Sequence, residues 1–294
     1  MTMQQSISNE FLEVIISDIG AEITSIKSQK SGLEYMWQAD PNIWNSSAPV
    51  LFPAIGAFKN GESVLHGQKY SVPRHGFVRH NKALKVISQT PQSVTYQLTS
   101  SAELLEVYPF EFDFQIQFSL LDNQLVVNHQ VLNKDNKEML FCLGGHPAFR
   151  CPMHKNESYE DYYLEFEHHE TVETTVLSKE GLLTDQKKSV LKNSNILPLD
   201  QNMFDQDALI FQDLKSNKVS LKSNQSNQVL TVEYEDFPFL GLWAKPRAPF
   251  ICIEPWLGIA DHEDTDGCFT SKLGVVSILP GAVFHAKYKV QITD

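Results

Sequence analysis

The sequence predicts an all-β protein, because short segments that alternate apolar and polar residues recur along the chain and are separated by turns. Residues 85–131 are the clearest example, with the segments KVISQT, SVTYQLTS, FDFQIQFSL and QLVVNHQVL. This alternation is typical of antiparallel sheets with one face in water, and turns such as Leu121-Asp122-Asn123 recur at the spacing seen in β-sandwiches. No segment with helical periodicity interrupts this region. His129 lies on the polar phase of its strand, which predicts a solvent-facing or sheet-lining side chain.

The strands that precede this region are shorter and are interrupted by more turns. Residues 11–26, FLEVIISDIGAEITSI, alternate around Gly20 and predict two strands joined by a turn. From Ala48 to Glu62, two prolines and Gly56 interrupt an apolar run, so we expect a loop held against the core. The pair Asn60-Gly61 then predicts a hairpin.

Two arginines and a histidine lie together in the segment PRHGFVR, residues 73–79. Guanidinium groups bind oxygen atoms bidentately, so Arg74, His75 and Arg79 form a candidate site for an anion or for hydroxyl groups. A solvated basic turn explains the same residues, and the segment alone does not decide between the two.

His146 follows a buried strand, MLFCL, and stands between Gly144-Gly145 and Pro147. Glycines allow a ligand to approach the backbone closely, and a histidine at a strand end can titrate near neutral pH. A lone histidine is more often a satisfied core residue, but this setting favours a functional side chain.

Glu254 is a carboxylate in otherwise apolar surroundings, in the run ICIEPWLGIAD. Pro255 has no N–H to donate and forces the residue before it out of the helical region, so the strand is predicted to stop at Glu254. A carboxylate there, with Trp256 beside it, is expected to have a raised pKa and to transfer protons. The alternative is a glutamate that pairs with a lysine or caps a turn.

The remaining polar motifs offer one further candidate for binding hydroxyl groups and predict no metal site. Asp207 precedes the predicted strand Ala208–Phe211, where its carboxylate either binds hydroxyl groups or caps the turn. His168 and His169 are adjacent in a predicted strand and therefore point to opposite faces. His262 lies in the acidic loop 261–267, whose spacing does not match a calcium loop, so that loop is expected to be solvated.

Charge and composition restrict the partners and the compartment. The net charge of −12 argues against nucleic acid or an anionic membrane as partner and favours a small ligand. The first ten residues lack the basic and apolar regions of a signal peptide, and no run approaches the length of a membrane span, so we expect a cytoplasmic protein. Cys142, Cys151, Cys252 and Cys268 are scattered and are expected to be buried thiols.

Three motifs in this order, His75 in RHGFVR, His146 in GGHPAF and Glu254 in IEPWLG, resemble the aldose 1-epimerase (galactose mutarotase) family, specifically its mutarotase-related branch. The similarity covers nearly the whole chain, as far as the predicted hairpin at Pro280-Gly281. It implies one domain over residues 1–294, a galactose mutarotase-like β-supersandwich of mainly antiparallel strands. It also implies a sugar bound in an open cleft on one broad sheet, without cofactor or metal.

The resemblance further implies a role for each residue. Glu254 would be the general base that takes the proton of the anomeric hydroxyl, and His146 the general acid that protonates the ring oxygen. His75 and Asp207 would bind hydroxyl groups. Opening a pyranose requires such an acid and base together, which agrees with this assignment. Family members commonly carry an arginine directly after the glycine of FPAIGA, and this chain has Ala57 there, so one substrate contact is expected to be missing.

We therefore expect an isomerase that interconverts the anomers of a hexose or hexose 6-phosphate, as a monomer or homodimer. In a strand-like run Arg79 shares the face of His75 and Arg74 points away, so Arg79 is predicted to contact the substrate, with a preference for a phosphorylated hexose. Two other classes remain open. A carbohydrate-binding module would need no catalytic role for Glu254 and His146, and a glycoside hydrolase would pair Glu254 with a carboxylate such as Asp207.

Overall fold

The structure is a computed structural model that describes residues 3–294. In chain order its strands are β1 (Gln4–Ser8), β2 (Leu12–Ser17), β3 (Glu22–Ser28), β4 (Val50–Leu51), β5 (Ser63–Leu65), β6 (Gln68–Tyr70), β7 (Lys85–Thr90), β8 (Ser93–Thr99), β9 (Phe112–Leu121), β10 (Gln124–Asn133), β11 (Met139–Phe141), β12 (Leu143–Gly145), β13 (Ala148–Arg150), β14 (Tyr162–Leu177), β15 (Leu183–Pro198), β16 (Leu209–Gln212), β17 (Lys218–Ser223), β18 (Val229–Glu233), β19 (Phe239–Trp243), β20 (Phe250–Leu257), β21 (Val276–Ile278) and β22 (Val283–Thr293).

Helices are short and few among these residues, which confirms the predicted all-β class. The α-helix α1 spans Ala102–Val107, and the Ser101 hydroxyl caps it by accepting a hydrogen bond from the Leu104 N–H. Short 3-10 helices cover Lys59–Gly61, Val78–His80, Tyr159–Asp161 and Phe269–Ser271. No helix within residues 3–294 has both the length and the apolar character needed to cross a bilayer.

Two large antiparallel sheets form the body of the molecule. The larger has nine strands in the order β15-β14-β17-β18-β22-β10-β9-β8-β7. The smaller has six, in the order β16-β19-β20-β12-β4, with β13 also paired to β20. Along β9 and β10 every second side chain is buried, as the alternating sequence predicts for a sheet with one wet face.

The two sheets face each other across one apolar core. Phe52, just after β4, stacks on Phe114 of β9 with ring centroids 4.8 Å apart. Phe166 of β14 meets Phe211 of β16 edge to face. The buried cluster that contains these residues runs from Ile7 to Ile292, so both sheets contribute to a single core. Strand β20 is buried along its whole length, because the core covers one of its faces and the site described below lies on the other.

The prediction that the strand stops at Glu254 was wrong. Strand β20 continues through Pro255 to Leu257. The Ile253 N–H donates to the Pro147 carbonyl, and Pro255, two residues further on, turns the same edge towards residues 145–147. There the ladder between β20 and its neighbours β12 and β13 is interrupted. Proline is tolerated inside this central strand because no partner needs its missing N–H at that point.

Two other local expectations were also wrong. Asn60-Gly61 lies in a 3-10 turn, and the hairpin that follows, β5–β6, turns at His66-Gly67. His129 is fully buried between the sheets, near Phe114 and Tyr288, and is not solvent-facing. His129 shares the buried phase of β10 with Leu125 and Val127, and its Nδ1 atom lies 3.2 Å from the Ala286 carbonyl oxygen.

Candidate active site

A cavity of about 880 Å³ opens on the face of the six-stranded sheet that lies away from the nine-stranded sheet. The loop after β4, the segment before β16 and the tip of the long β14–β15 hairpin complete its walls. The six residues selected from the sequence all contribute to its lining: Arg74, His75, Arg79, His146, Asp207 and Glu254. Their placement in one cavity is observed, and their roles towards a substrate stay predictions.

His146 and Glu254 are cross-strand neighbours on the floor of this cavity. Gly144 pairs with Trp256 and Ala148 pairs with Cys252, so the same register sets His146 opposite Glu254. Gly145 packs against Tyr288 of the nine-stranded sheet, and the next residue, His146, therefore points the other way, into the cavity. The His146 Nε2 and Glu254 Oε2 atoms are 3.3 Å apart.

Glu254 is 1% exposed, and its Oε2 atom makes no well-formed hydrogen bond with residues 3–294. Burial raises the pKa of this carboxyl well above its usual value, and the nearby charge of Asp207 raises it further. The Trp256 indole and the guanidinium groups of Arg74 and Arg79 act in the opposite direction. A carboxylate of raised pKa that opens on a cavity is suited to accept a proton.

The His146 ring is held among aromatic side chains. The ring centroid of Trp44 lies 5.1 Å away, that of Trp243 lies 5.6 Å away in an edge arrangement, and that of His75 lies 5.8 Å away. Burial, together with the positive charge of Arg79, lowers the pKa of His146 to about 3. The Trp44 ring is tilted by only 31° from the imidazole, and its face favours a cation, which opposes these effects when His146 gains a proton.

A tight turn presents His75 to the cavity. Its backbone has φ of 64°, and the next residue, Gly76, packs so closely on Phe52 that an added Cβ would lie 2.0 Å from the Phe52 carbonyl oxygen. The Gly56 N–H donates to Nδ1 of His75 over 3.3 Å, and the His75 N–H donates back to the Gly56 carbonyl. Burial lowers the pKa of His75 well below its usual value, so the ring is neutral and carries its proton on Nε2. It can therefore donate to a ligand hydroxyl.

Arg74 does not point away from the site, contrary to the sequence prediction, because both Arg74 and Arg79 line the cavity. The prediction assumed a strand, whereas the positive φ values of His75 and Gly76 break the alternation and Val78–His80 form a 3-10 turn. Arg79 is half-buried and feels the charges of Glu22 and Glu254, while burial lowers its pKa. Arg74 is exposed at the rim.

Asp207 lies in the cavity wall in front of β16, with φ of 76°. Its Oδ1 atom accepts a hydrogen bond from the Ala208 N–H over 2.8 Å, so the capping role considered from the sequence is present. One carboxylate oxygen remains for other partners. The negative charge of Asp207 also raises the pKa of Glu254.

Sequence reasoning missed the aromatic walls and the hairpin tip. Trp44, Trp243 and Phe204 line the cavity, as does Lys179 at the β14–β15 turn. Tryptophans are scarce enough in this chain to have been a signal, since three of its four line the cavity when Trp256 is included. Nothing in the local sequence marks Lys179, because only the length and curvature of the hairpin bring it there.

Buried charges behind the cavity hold the loop after β4. Asp261 is 5% exposed and pairs with the buried Lys272, with Oδ1 and Nζ 2.9 Å apart. Its other oxygen accepts from the Lys59 N–H, and its own N–H donates to the Ala57 carbonyl. The loop that begins at Asp261 is therefore not simply solvated, as the sequence suggested. Ala57 is not part of the cavity lining.

One group of three metal-ligand side chains occurs among residues 3–294, and it includes His146 and Glu254. Ligand atoms of His146, Cys252 and Glu254 all lie within 4.8 Å of one another. The types fit a zinc ion. Cys252 is a fully buried thiol beneath the cavity floor, and burial raises its pKa well above its usual value.

Comparison with known proteins shows similarity over nearly the whole chain. The family model for aldose 1-epimerase matches residues 3–267. The plasmid-encoded protein LacX of Lactococcus lactis subsp. lactis is 36% identical, over 99% of this chain and 100% of its own length. The solved structure of a galactose mutarotase related enzyme from Lactobacillus acidophilus is 37% identical with a TM-score of 0.94, covering 99% of this chain and 98% of that one. A galactose mutarotase-like protein from Lactobacillus casei is 29% identical with a TM-score of 0.93, covering 99% and 100%.

Proposed function

The chain belongs to the aldose 1-epimerase family, and we propose that it interconverts the α and β anomers of a hexose or hexose 6-phosphate by general acid/base ring opening. The observation that carries this proposal is the direct contact of His146 with Glu254 on the floor of the cavity, 3.3 Å apart. The two oxygen atoms that exchange protons in ring opening, O1 and O5, are bonded to the same anomeric carbon. An acid and a base must therefore converge on one point, as this pair does.

In the proposed reaction the Glu254 carboxylate takes the proton of the O1 hydroxyl while protonated His146 gives a proton to O5. The bond between C1 and O5 breaks, and C1 and O1 become a carbonyl. Rotation about the C1–C2 bond turns the other face of the aldehyde towards the O5 hydroxyl. The ring then closes as O5 attacks C1, His146 regains its proton and Glu254 returns one to O1. Each positioned proton transfer contributes about 10²- to 10⁴-fold to the rate.

The electrostatics of the pair support this use. Burial raises the pKa of Glu254 and lowers that of His146, and so favours the neutral form of each group. The reactive form has the proton on His146, where the face of Trp44, tilted by 31° from the imidazole, favours the cation. Arg74 and Arg79 favour the Glu254 carboxylate at the same time. The two protonation states of the pair differ only in the position of one proton across this short contact, so the pair can change from one state to the other.

The rest of the cavity suits a sugar. Neutral His75 donates from Nε2, Asp207 offers an acceptor, and Trp44 and Trp243 supply apolar faces of the kind that sugar rings contact. We assign hydroxyl binding to His75 and Asp207, and substrate contact to Arg74 and Arg79. We propose no metal or cofactor.

A polarimetric screen tests the proposal. Freshly dissolved α anomers of several hexoses and their 6-phosphates are followed with and without the protein, and the proposal predicts faster decay to the equilibrium rotation for at least one. Spontaneous rates throughout, together with a sugar-induced rise in melting temperature, would identify a carbohydrate-binding module instead. New reducing ends released from glycosides would identify a hydrolase that pairs Glu254 with a second carboxylate.

A further inference from the structure

We propose that Arg74 and Lys179 form an anion subsite at the rim of the cavity, which selects aldoses that carry a phosphate or a carboxylate group. The proposal rests on the proposed function, because it concerns the substrate of the same site. In this proposal the charged group of the substrate is bound at the rim, and Arg79 acts on Glu254 at the cavity floor instead.

The tip of the β14–β15 hairpin is built to meet Arg74. The Ser178 N–H donates to the Leu182 carbonyl and the Gly181 N–H donates to the Ser178 carbonyl, which closes a tight turn. Gly181 has φ of 78°, and a Cβ added to it would lie 3.2 Å from Nη1 of Arg74. The guanidinium group therefore packs flat on a turn that only glycine accommodates easily.

The same turn directs Lys179 towards the cavity and its acidic neighbour elsewhere. Lys179 belongs to the cavity lining, whereas Glu180 does not. The Glu180 carboxylate accepts a hydrogen bond from the Ser178 hydroxyl over 2.9 Å. The start of β15 is anchored by the Leu183 N–H, which donates to the Asp261 carbonyl. The lysine thus stands at the mouth of the site on a turn that is held at both ends.

Neither cation is neutralised by the protein. Arg74 and Lys179 form no salt bridge with any residue of the described range 3–294. Only six of the 24 lysine and arginine side chains form salt bridges within residues 3–294, so Arg74 and Lys179 are distinguished by their place in the cavity lining. Two unpaired cations line the same cavity, and the guanidinium of Arg74 packs on the turn that carries Lys179. Such a pair fits an anionic ligand group, which a guanidinium and an ammonium bind through charge-assisted hydrogen bonds.

Arg79 also lines the cavity and also forms no salt bridge within residues 3–294, but it differs from Arg74 and Lys179 in burial. It is half-buried, and the negative charges of Glu22 and Glu254 act on it directly. Glu22 is itself held by the N–H groups of Ser47 and Ala48. Arg79 therefore serves the cavity floor, where its charge favours the Glu254 carboxylate, and it contributes to turnover of neutral and anionic sugars alike.

The rim is within reach of a sugar bound at the acid/base pair. Arg74 lines the same cavity as Glu254 and His146, and its charge acts on both of them. The net charge of −12 does not prevent an anion from binding there, because salt screens the distant charges over about 8 Å at physiological ionic strength. Local contacts then decide the affinity.

The test compares glucose and galactose with their 6-phosphates and their uronic acids, in the wild type, Arg74→Ala, Lys179→Ala and Lys187→Ala. Lys187 lies exposed on β15 of the same hairpin, outside the cavity lining, and controls for the loss of one positive charge. We expect the ratio of kcat/KM for anionic over neutral sugar to fall by about tenfold or more in Arg74→Ala and in Lys179→Ala, since each removes a hydrogen bond to a charged group. Lys187→Ala should leave the ratio unchanged.

The outcomes separate this subsite from the proposed reaction. An unchanged ratio in both rim variants overturns the subsite while leaving mutarotation intact. A fall for the 6-phosphates alone, or for the uronic acids alone, supports the subsite and identifies which anion it reads. If the wild type turns over no aldose, calorimetric titration with glucose 6-phosphate still decides. Binding that is weakened by Lys179→Ala and kept by Lys187→Ala supports the subsite, and binding that is equal in both overturns it.

Discussion

His146 and Glu254 face each other because each immediately precedes a proline at the same interruption of the sheet. The ladder between β20 and its neighbours is complete at Gly144 opposite Trp256 and again at Ala148 opposite Cys252. Between these pairs, where Pro147 and Pro255 lack N–H groups, the two titratable side chains come within 3.3 Å of each other. Side chains opposite each other on antiparallel strands are held by both backbones. The side chains of His146 and Glu254 are therefore positioned by paired strands of the six-stranded sheet.

The His146→Asn variant should lose most of its turnover and keep its affinity for sugar. Asparagine retains a hydrogen-bonding group of similar reach but cannot give a proton to the ring oxygen. A positioned acid contributes about 10²- to 10⁴-fold. Anomer exchange and ligand titration on the same preparation measure both quantities. Turnover above about a tenth of the wild-type value would show that His146 is not the acid.

Chelators should not reduce the activity, and added Zn²⁺ should inhibit it. An ion bound by His146, Cys252 and Glu254 would occupy the acid and the base and remove both from the reaction. The assay compares enzyme treated with EDTA, untreated enzyme and enzyme with Zn²⁺, and Cys252→Ser should need more Zn²⁺ for the same inhibition. Activity that is lost in EDTA and restored by one divalent ion would contradict this account.

Acid should destabilise the protein partly through His129. Burial lowers the pKa of His129 to about 4 from its ordinary value of 6.5, so the unfolded chain binds a proton at higher pH than the folded chain. The free energy of unfolding is therefore highest above pH 6.5 and falls as the pH drops towards 4, by up to about 3 kcal/mol from this group. Urea unfolding at pH 7.5, 6 and 5 should show a shallower fall for His129→Gln than for the wild type, while His285→Gln, an exposed control, should match the wild type. Equal slopes for His129→Gln and the wild type would exclude this contribution.

The buried pair of Asp261 and Lys272 should be needed as a unit. Lys272→Met leaves an unpaired buried carboxylate and should lower the free energy of unfolding by about 3–5 kcal/mol. The double variant with Asp261→Asn should recover part of this loss, because no charge then remains buried. Denaturant unfolding of the two single variants and the double variant measures the coupling. Additive losses would mean that the two side chains act independently.

The sequence was sufficient to predict the sheet class and six of the residues that line the cavity, for identifiable reasons. Period-two alternation in β9 and β10 reflects a sheet with one wet face, and a short motif at a proline marks each of His146 and Glu254. Both signals are local. They can be recognised in the sequence because each depends only on residues that are close together in the chain.

The errors came from interactions between distant segments. The continuation of β20 through Pro255 depends on a gap in a neighbouring strand, and the burial of Asp261 depends on Lys272. The orientation of Arg74 depends on two positive φ values and on a hairpin tip about 100 residues away. None of these appears in the pattern of the segment itself.

Anomer exchange in the Glu254→Gln variant tests the central claim most directly. The amide keeps the shape of the side chain but cannot take the anomeric proton. Exchange NMR on an equilibrated aldose reports interconversion, and line broadening of the same sugar reports binding in the same sample. The account predicts enzyme-dependent exchange with the wild type, and binding without exchange above the spontaneous rate in Glu254→Gln. Exchange in Glu254→Gln at more than about a tenth of the wild-type rate would contradict it, because a positioned base contributes more than that.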